Sequence, residues 1–265
     1  WAWNDHCPEG PIMIVIPGIN NDSSEIYMQN YCRQILEKGF HVVCIGPRGQ
    51  QGINQMTSPL LVSPGRDSDI REVVDYVSIK YADKDLYATG FSIGGNMLAK
   101  MVGIDGHSCK LKAAYCSQPP MKYWETTKNL RSKYYGFMDY VTGLKIYKLH
   151  ENYIDILSPI YKKNYCLDVS KSFKKYERAS TIEDAVVYKV NGNHRSPLDY
   201  RRSSSSCFHI EGIKIPTLFY FALDDPLIGQ NSIDFKSLKK NQNIVLSTTR
   251  FGSHLCCFDN YFRNS

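Results

Sequence analysis

Apolar residues fall along this chain in short continuous runs separated by longer amphipathic stretches. Ile12, Met13, Ile14, Val15 and Ile16 form the first run, within Pro11–Pro17 and closed by Pro-Gly. An unbroken apolar run of that length reads as a strand buried on both faces. Ser23 or Ser24 can cap a helix running to Lys38, and Gly39 is a good stop. His41–Ile45 is a second short strand. Asp67 or Ser68 opens a helix that carries Ile70, Val73, Val74 and Val77 on one face. Leu86–Thr89 reads as a strand, followed by a helix from about Gly94 to Val102. Lys112–Ser117, Thr217–Leu223 and Asn243–Thr249 complete the strands. Apolar strands alternating with amphipathic helices predict an α/β fold: a doubly wound, mostly parallel sheet with helices on both faces.

The alternation stops between about 119 and 215, a stretch rich in Tyr, Lys and Ser. Helices are expected there, for example Tyr123–Phe137 and Thr181–Val190, as a cap inserted into a single domain spanning 1–265. A chain of 265 residues with 43% hydrophobic and 22% charged residues can bury its own core without a metal or disulfide staple. The formal charge of +6 is spread out, with short clusters at Lys162–Lys163, Lys174–Lys175 and Arg201–Arg202. Such clusters read as solvated faces, with weak attraction to an anionic membrane as the functional alternative. No nucleic-acid motif accompanies them. The nine cysteines form no CxxC pair, and Cys256–Cys257 are adjacent, so they read as reduced apolar fillers. Asn21-Asp22-Ser23 fits the glycosylation sequon, a triplet common by chance. No apolar stretch is long enough for a transmembrane helix. The chain begins at Trp1, close to its first strand, so targeting segments are expected to lie outside it.

The strongest chemical signal is Gly90-Phe91-Ser92-Ile93-Gly94, placed between a strand and a helix. A strand–turn–helix G-x-S-x-G is the form of a nucleophile elbow, in which a strained turn exposes the serine. The elbow predicts an acid and then a histidine later in the chain. Asp224-Asp225-Pro226 follows Thr217–Leu223, and Gly252-Ser253-His254 follows the next strand. His254 is the one histidine beyond those aspartates, so Ser92, Asp225 and His254 are the candidate catalytic residues. Adjacent Asp224 and Asp225 cannot both point at His254. Asp225 is preferred because Pro226, Leu227 and Ile228 would pin it, whereas Asp224 sits nearer the strand end. Backbone N–H groups of Ile19 and Ile93 are candidates for an oxyanion hole. His-x4-Asp occurs at His150…Asp155, His194…Asp199 and His254…Asp259, too often among seven histidines to carry information.

Together the runs Val15-Ile16-Pro17-Gly18-Ile19, Pro47-Arg48-Gly49, Gly90–Leu98, Ala222–Leu227 and Gly252-Ser253-His254 resemble the ABHD branch of the α/β hydrolases. That branch includes YheT-like bacterial esterases and yeast medium-chain ethyl-ester synthase/esterases. Ser196–Ser204 resembles the segment that precedes the acid strand there. The resemblance implies the α/β-hydrolase fold and a serine esterase or lipase acting on acyl esters of lipid or medium chain length. Hydrolysis, or transfer of the acyl group to an alcohol, would need no cofactor or metal. It also implies an intracellular, membrane-associated setting, endomembrane or mitochondrial, reached through a segment before Trp1. Two departures stand out. The first loop reads Gly18-Ile19-Asn20-Asn21 where the branch has Thr and Gly, and the chain ends at Ser265, soon after His254. They are the best support for the rival expectation, a silent subunit of the same fold with a scaffold role in a larger complex, against which the surviving Ser92, Asp225 and His254 argue.

Overall fold

The computed structural model describes residues 1–19, 21–48, 58–172 and 177–255. Asn20, Gly49, Lys174–Lys175, Cys256–Cys257 and Asp259, named above, lie outside them. The sheet has six strands in the order β2-β1-β3-β4-β5-β6. They are β1 Ile12–Ile16, β2 His41–Cys44, β3 Leu86–Phe91, β4 Ala113–Ser117, β5 Thr217–Ala222 and β6 Ile244–Thr249, and every pairing is parallel. The fold is the predicted doubly wound α/β sheet.

Strand β1 lies between β2 and β3, and all of it is buried. Its side chains alternate between two cores, as a period of two requires. Ile12, Ile14 and Ile16 pack with Ile70, Val74 and Val77 of α2, Asp67–Lys80, and with Leu98, Met101 and Val102 of α3, Ile93–Asp105. Met13 and Val15 face the other side, against Met28 of α1, Ile26–Glu37. Helix α2 keeps Asp67 and Asp69 in its first turn and Lys80 in its last, charges that complement the helix dipole. Helix α1 starts later than the serines suggest: Glu25 occupies its N-cap, and the chain turns off at Gly39 with φ +87°.

Between β4 and β5 run α4 Tyr123–Ser132, α5 Phe137–His150, α6 Ile154–Tyr165, α7 Val169–Ser172 and α8 Ala179–Ile182. A π-helical stretch at Glu183–Val187 then leads into α9 Tyr188–Val190 and α10 Pro197–Ser203. The expected helix Tyr123–Phe137 breaks at Tyr134 and Tyr135, whose φ values of 50° and 55° are left-handed. Helix α10 is set by its sequence: Ser196 accepts from the Asp199 N–H at 3.1 Å, and Pro197 occupies the first turn. Beyond β5 comes α11 Phe235–Lys240, which the sequence reading did not anticipate. Among the described residues, no helix is long and apolar enough to cross a membrane.

The turn from β3 to α3 is packed closely against backbone. Ser92 has φ 50° and ψ −120°, a conformation that costs about 1–3 kcal/mol outside glycine. A Cβ on Gly90 would stand 2.5 Å from the Gly94 carbonyl oxygen, and one on Gly94 would strike the carbonyl oxygen of Pro17 at the end of β1. Both obstacles are backbone, which cannot swing aside. Gly94→Ala should therefore lower stability by about 1–3 kcal/mol in urea denaturation, the usual cost of overpacking. Ser92→Ala and Ser92→Gly lose the same hydroxyl, and of the two the glycine variant should be more stable by about 1 kcal/mol, since glycine accepts a positive φ freely.

Candidate active site

Every residue of the candidate site leaves the carboxyl end of a strand, where open α/β sheets place their crevices. Gly18 and Ile19 follow β1, Ser92 follows β3, Asp225 follows β5 and His254 follows β6. The structure brings the three predicted residues into one hydrogen-bonded line. His254 Nε2 lies 3.0 Å from Ser92 Oγ, and His254 Nδ1 lies 2.6 Å from Asp225 Oδ2. The aspartate is only 4% exposed, and its other oxygen accepts the N–H groups of Leu227 at 2.8 Å and Ile228 at 3.0 Å. Those two bonds fix the carboxylate rotamer and leave Oδ2 for the imidazole. Neighbouring Asp224 is exposed and accepts the Ser253 N–H at 2.9 Å instead.

Ile19 and Ile93 line the same cleft as Ser92. Ile93 is the first residue of α3, so its N–H has no acceptor within the helix. Gly18 is close to Ser92: a Cβ built on it would lie 3.5 Å from the Ser92 Cβ. Its N–H donates to the Tyr27 hydroxyl at 3.3 Å, and Asn21 Nδ2 reaches that hydroxyl at 3.1 Å, so α1 holds the loop after β1.

Two positioning residues had no signal in the sequence. Gln118, fully buried just past β4, donates from Nε2 to the Ser253 carbonyl and accepts the Leu255 N–H on Oε1. It clamps the backbone on both sides of His254. Asn96, fully buried in α3, donates to the carbonyls of Pro64 at 3.1 Å and Ser204 at 2.7 Å, and accepts the Ser206 N–H at 3.0 Å. A single Gln or Asn at a strand end or on a helix is commonplace, and only the fold shows what these amides join.

A cleft of about 900 Å³, counting its open mouth, runs from Ser92 along α4, α5 and α8. Its walls include the apolar Ile19, Leu61, Ile93, Leu227 and Ile228 and the polar Thr126, Thr142, His150 and Glu183. Glu183 is buried with both oxygens engaged, one by the Tyr123 hydroxyl at 2.6 Å and one by Arg201 Nε at 2.8 Å. Burial raises its carboxyl above the ordinary value, with Arg201 pulling the other way. Burial likewise pushes the Tyr123 phenol up, and the Glu183 charge adds to it. Among the described residues, no three His, Cys, Asp or Glu side chains converge to hold a metal ion.

Nearly all of this chain matches part of longer known proteins. An Abhydrolase domain-containing protein of Dictyostelium discoideum is 29% identical over 252 residues, covering 92% of this chain and 61% of that protein. Monoacylglycerol lipase ABHD2 of Danio rerio is 24% identical over 263 residues, covering 95% of this chain and 59% of that protein. The chain thus spans about three-fifths of the length of these relatives. Among solved structures, Est1E from Butyrivibrio proteoclasticus with ferulic acid bound superposes with a TM-score of 0.56 at 15% identity, covering 98% of this chain and 87% of that one. That likeness is one of fold. The family model for the alpha/beta hydrolase fold matches residues 11–255, nearly the whole described sheet with its elbow, and the chain belongs to that family.

Proposed function

We propose that this chain is a serine hydrolase that cleaves acyl esters, of lipids or of medium-chain acids, through an acyl-enzyme. The reading rests on one observation above all: the hydrogen-bonded line from Ser92 Oγ through His254 to a buried, pinned Asp225. His254 takes the Ser92 proton as Oγ adds to the ester carbonyl. The N–H groups of Ile19 and Ile93 hold the oxygen as it gains negative charge. His254 returns the proton to the departing alcohol, leaving an acyl-serine. Water then adds with His254 again as base, and the acid leaves. An alcohol in place of water would give transesterification by the same steps. Asp225 keeps the imidazole in the productive tautomer and orientation.

The apolar wall of the cleft suits the acyl chain, and the likeness to a monoacylglycerol lipase supports a glycerol monoester as the lipid form. The helices from α4 to α10 act in this reading as a cap over the cleft, inserted within a single domain. Lipid esters reside in membranes, so the proposal extends to a membrane-associated place of work. The open apolar cleft at Ser92 also favours an enzyme over a silent scaffold.

A fluorophosphonate probe should label the wild-type protein and leave Ser92→Ala unlabelled; a folded wild type that takes no label would overturn the proposal. Asp225→Asn should reduce kcat/KM by on the order of 10⁴ with binding largely kept. Asp224→Asn keeps an oxygen that can accept the Ser253 N–H and loses only an exposed charge, worth about 1 kcal/mol at most, so the loss in kcat/KM should stay within about tenfold. The reverse order in an ester-hydrolysis assay would reassign the acid.

A further inference from the structure

The charges around the start of α2 pair off and leave one cation over. Arg48 makes a two-point contact with Asp69, Nε to Oδ2 at 2.7 Å and Nη2 to Oδ1 at 2.8 Å. Lys100 sits 3.1 Å from Asp67, and Arg71 bridges Asp67 at 3.3 Å and also pairs with Asp105. Arg66 makes no ion pair among the described residues. Its Nη2 donates to the side-chain oxygen of Asn191, a neutral partner, and its Nε is shielded from solvent with no acceptor among the described residues. A half-buried guanidinium without a counter-charge is expensive. Burial pulls its pKa below the ordinary arginine value, which is the same cost seen in proton equilibrium.

Arg66 opens onto a polar pocket of about 660 Å³, counting its open side, that is distinct from the Ser92 cleft. Donor side chains from separate elements line it: Arg66 before α2, Lys100 of α3 and His194 in the segment after α9. The Lys100 ammonium spends one proton on the Gly65 carbonyl at 2.9 Å, and Ser203 Oγ donates its proton to the Tyr200 carbonyl at 2.8 Å while lying 3.4 Å from His194 Nδ1. The carboxylates that face these groups, Asp67 and Asp69, are already engaged by Lys100, Arg71 and Arg48.

We propose that this pocket binds a phosphate group, with Arg66 as the charge that selects it and Lys100 and His194 as further donors. Donors from three separate elements suit an oxyanion with several oxygens, and a guanidinium offers paired N–H groups to phosphate oxygens. The pocket and the cleft share a wall. Ser63 is hydrogen-bonded to the Tyr200 hydroxyl at 2.9 Å, Pro64 lines the cleft, and Arg66 is two residues further on. A phosphate on Arg66 would steady the segment that borders the cleft without touching Ser92. The ligand is either free phosphate or a phosphomonoester such as a lipid headgroup.

The test uses the purified chain in thermal unfolding and isothermal titration, with inorganic phosphate, glycerol phosphate and acetate, each against sodium chloride of matched ionic strength. Phosphate ligands should raise the Tm of wild type by several degrees and acetate should not. Arg66→Gln should weaken phosphate binding tenfold or more, and Arg66→Lys should recover part of it. Tighter binding of glycerol phosphate than of inorganic phosphate identifies a phosphomonoester as the ligand, and the opposite order identifies the free ion. No shift in wild type, an equal shift in Arg66→Gln, or acetate matching phosphate would overturn the proposal. Fluorophosphonate labelling of Ser92 should be the same in wild type and Arg66→Gln, so this outcome stands apart from the esterase reading.

Discussion

The left-handed backbone at Ser92 persists because β1, β3, β4 and α3 leave it nowhere to relax. Its N–H is held by the Ser117 carbonyl of β4 at 2.8 Å, and its own carbonyl accepts the Asn96 N–H of α3 at 3.0 Å. Gly90 and Gly94 let α3 press on the end of β3 and on Pro17 at the end of β1. The strain of about 1–3 kcal/mol is thus set against the burial of nearly all of α3, whose residues face protein on almost every side. The same closeness fixes what surrounds the serine. With α3 seated on β1, the loop through Gly18 must pass Ser92, and the first N–H of α3 must open beside it.

The remaining members of the site are held in graded ways. Asp225 is locked by backbone amides at the end of a strand whose neighbours flank it on both sides. His254 hangs from β6, the edge strand, whose residues are mostly exposed. Ser253 and Leu255 flank the imidazole with positive φ values of 48° and 61°, so its loop has little intrinsic preference for this shape. Gln118 supplies what the edge strand lacks by tying both neighbours of His254 to the end of β4. Here the base depends on a buried amide far from it in sequence.

That division explains what the sequence could disclose. Strand β1 and the elbow were legible because their signals are local: a continuous apolar run, and glycines whose missing side chains the turn requires. The order of Ser92, Asp225 and His254 followed from strand ends that the same runs marked. Gln118 and Asn96 were silent, since their partners lie across the fold and neither side chain announces a pairing. The region between β4 and β5 was blurred for another reason. Helix α5 turns Thr142 and Ile146 toward a cleft of mixed polarity, so its inward face carries no clean apolar period. The break at Tyr134–Tyr135 is likewise unmarked, because the glycine that would signal it comes after both, at Gly136.

The polar part of the cleft wall is best understood through Arg201. It engages Glu183 and Asp184 together, while Tyr123 of α4 closes the second oxygen of Glu183 and Arg131 of α4 reaches Asp184. Glu183 and Asp184 open the π-helical stretch Glu183–Val187. A buried ion pair is weak evidence for net stability, because desolvation offsets much of its attraction. Its effect here is geometric. Arg201 belongs to α10, Glu183 and Asp184 to the widened turn after α8, and Tyr123 and Arg131 to α4, so one network joins three separate helical elements along the cleft. Since Glu183 is satisfied on both oxygens, it offers a bound chain no free charge, and the cleft can remain an apolar conduit although a carboxylate forms part of its wall.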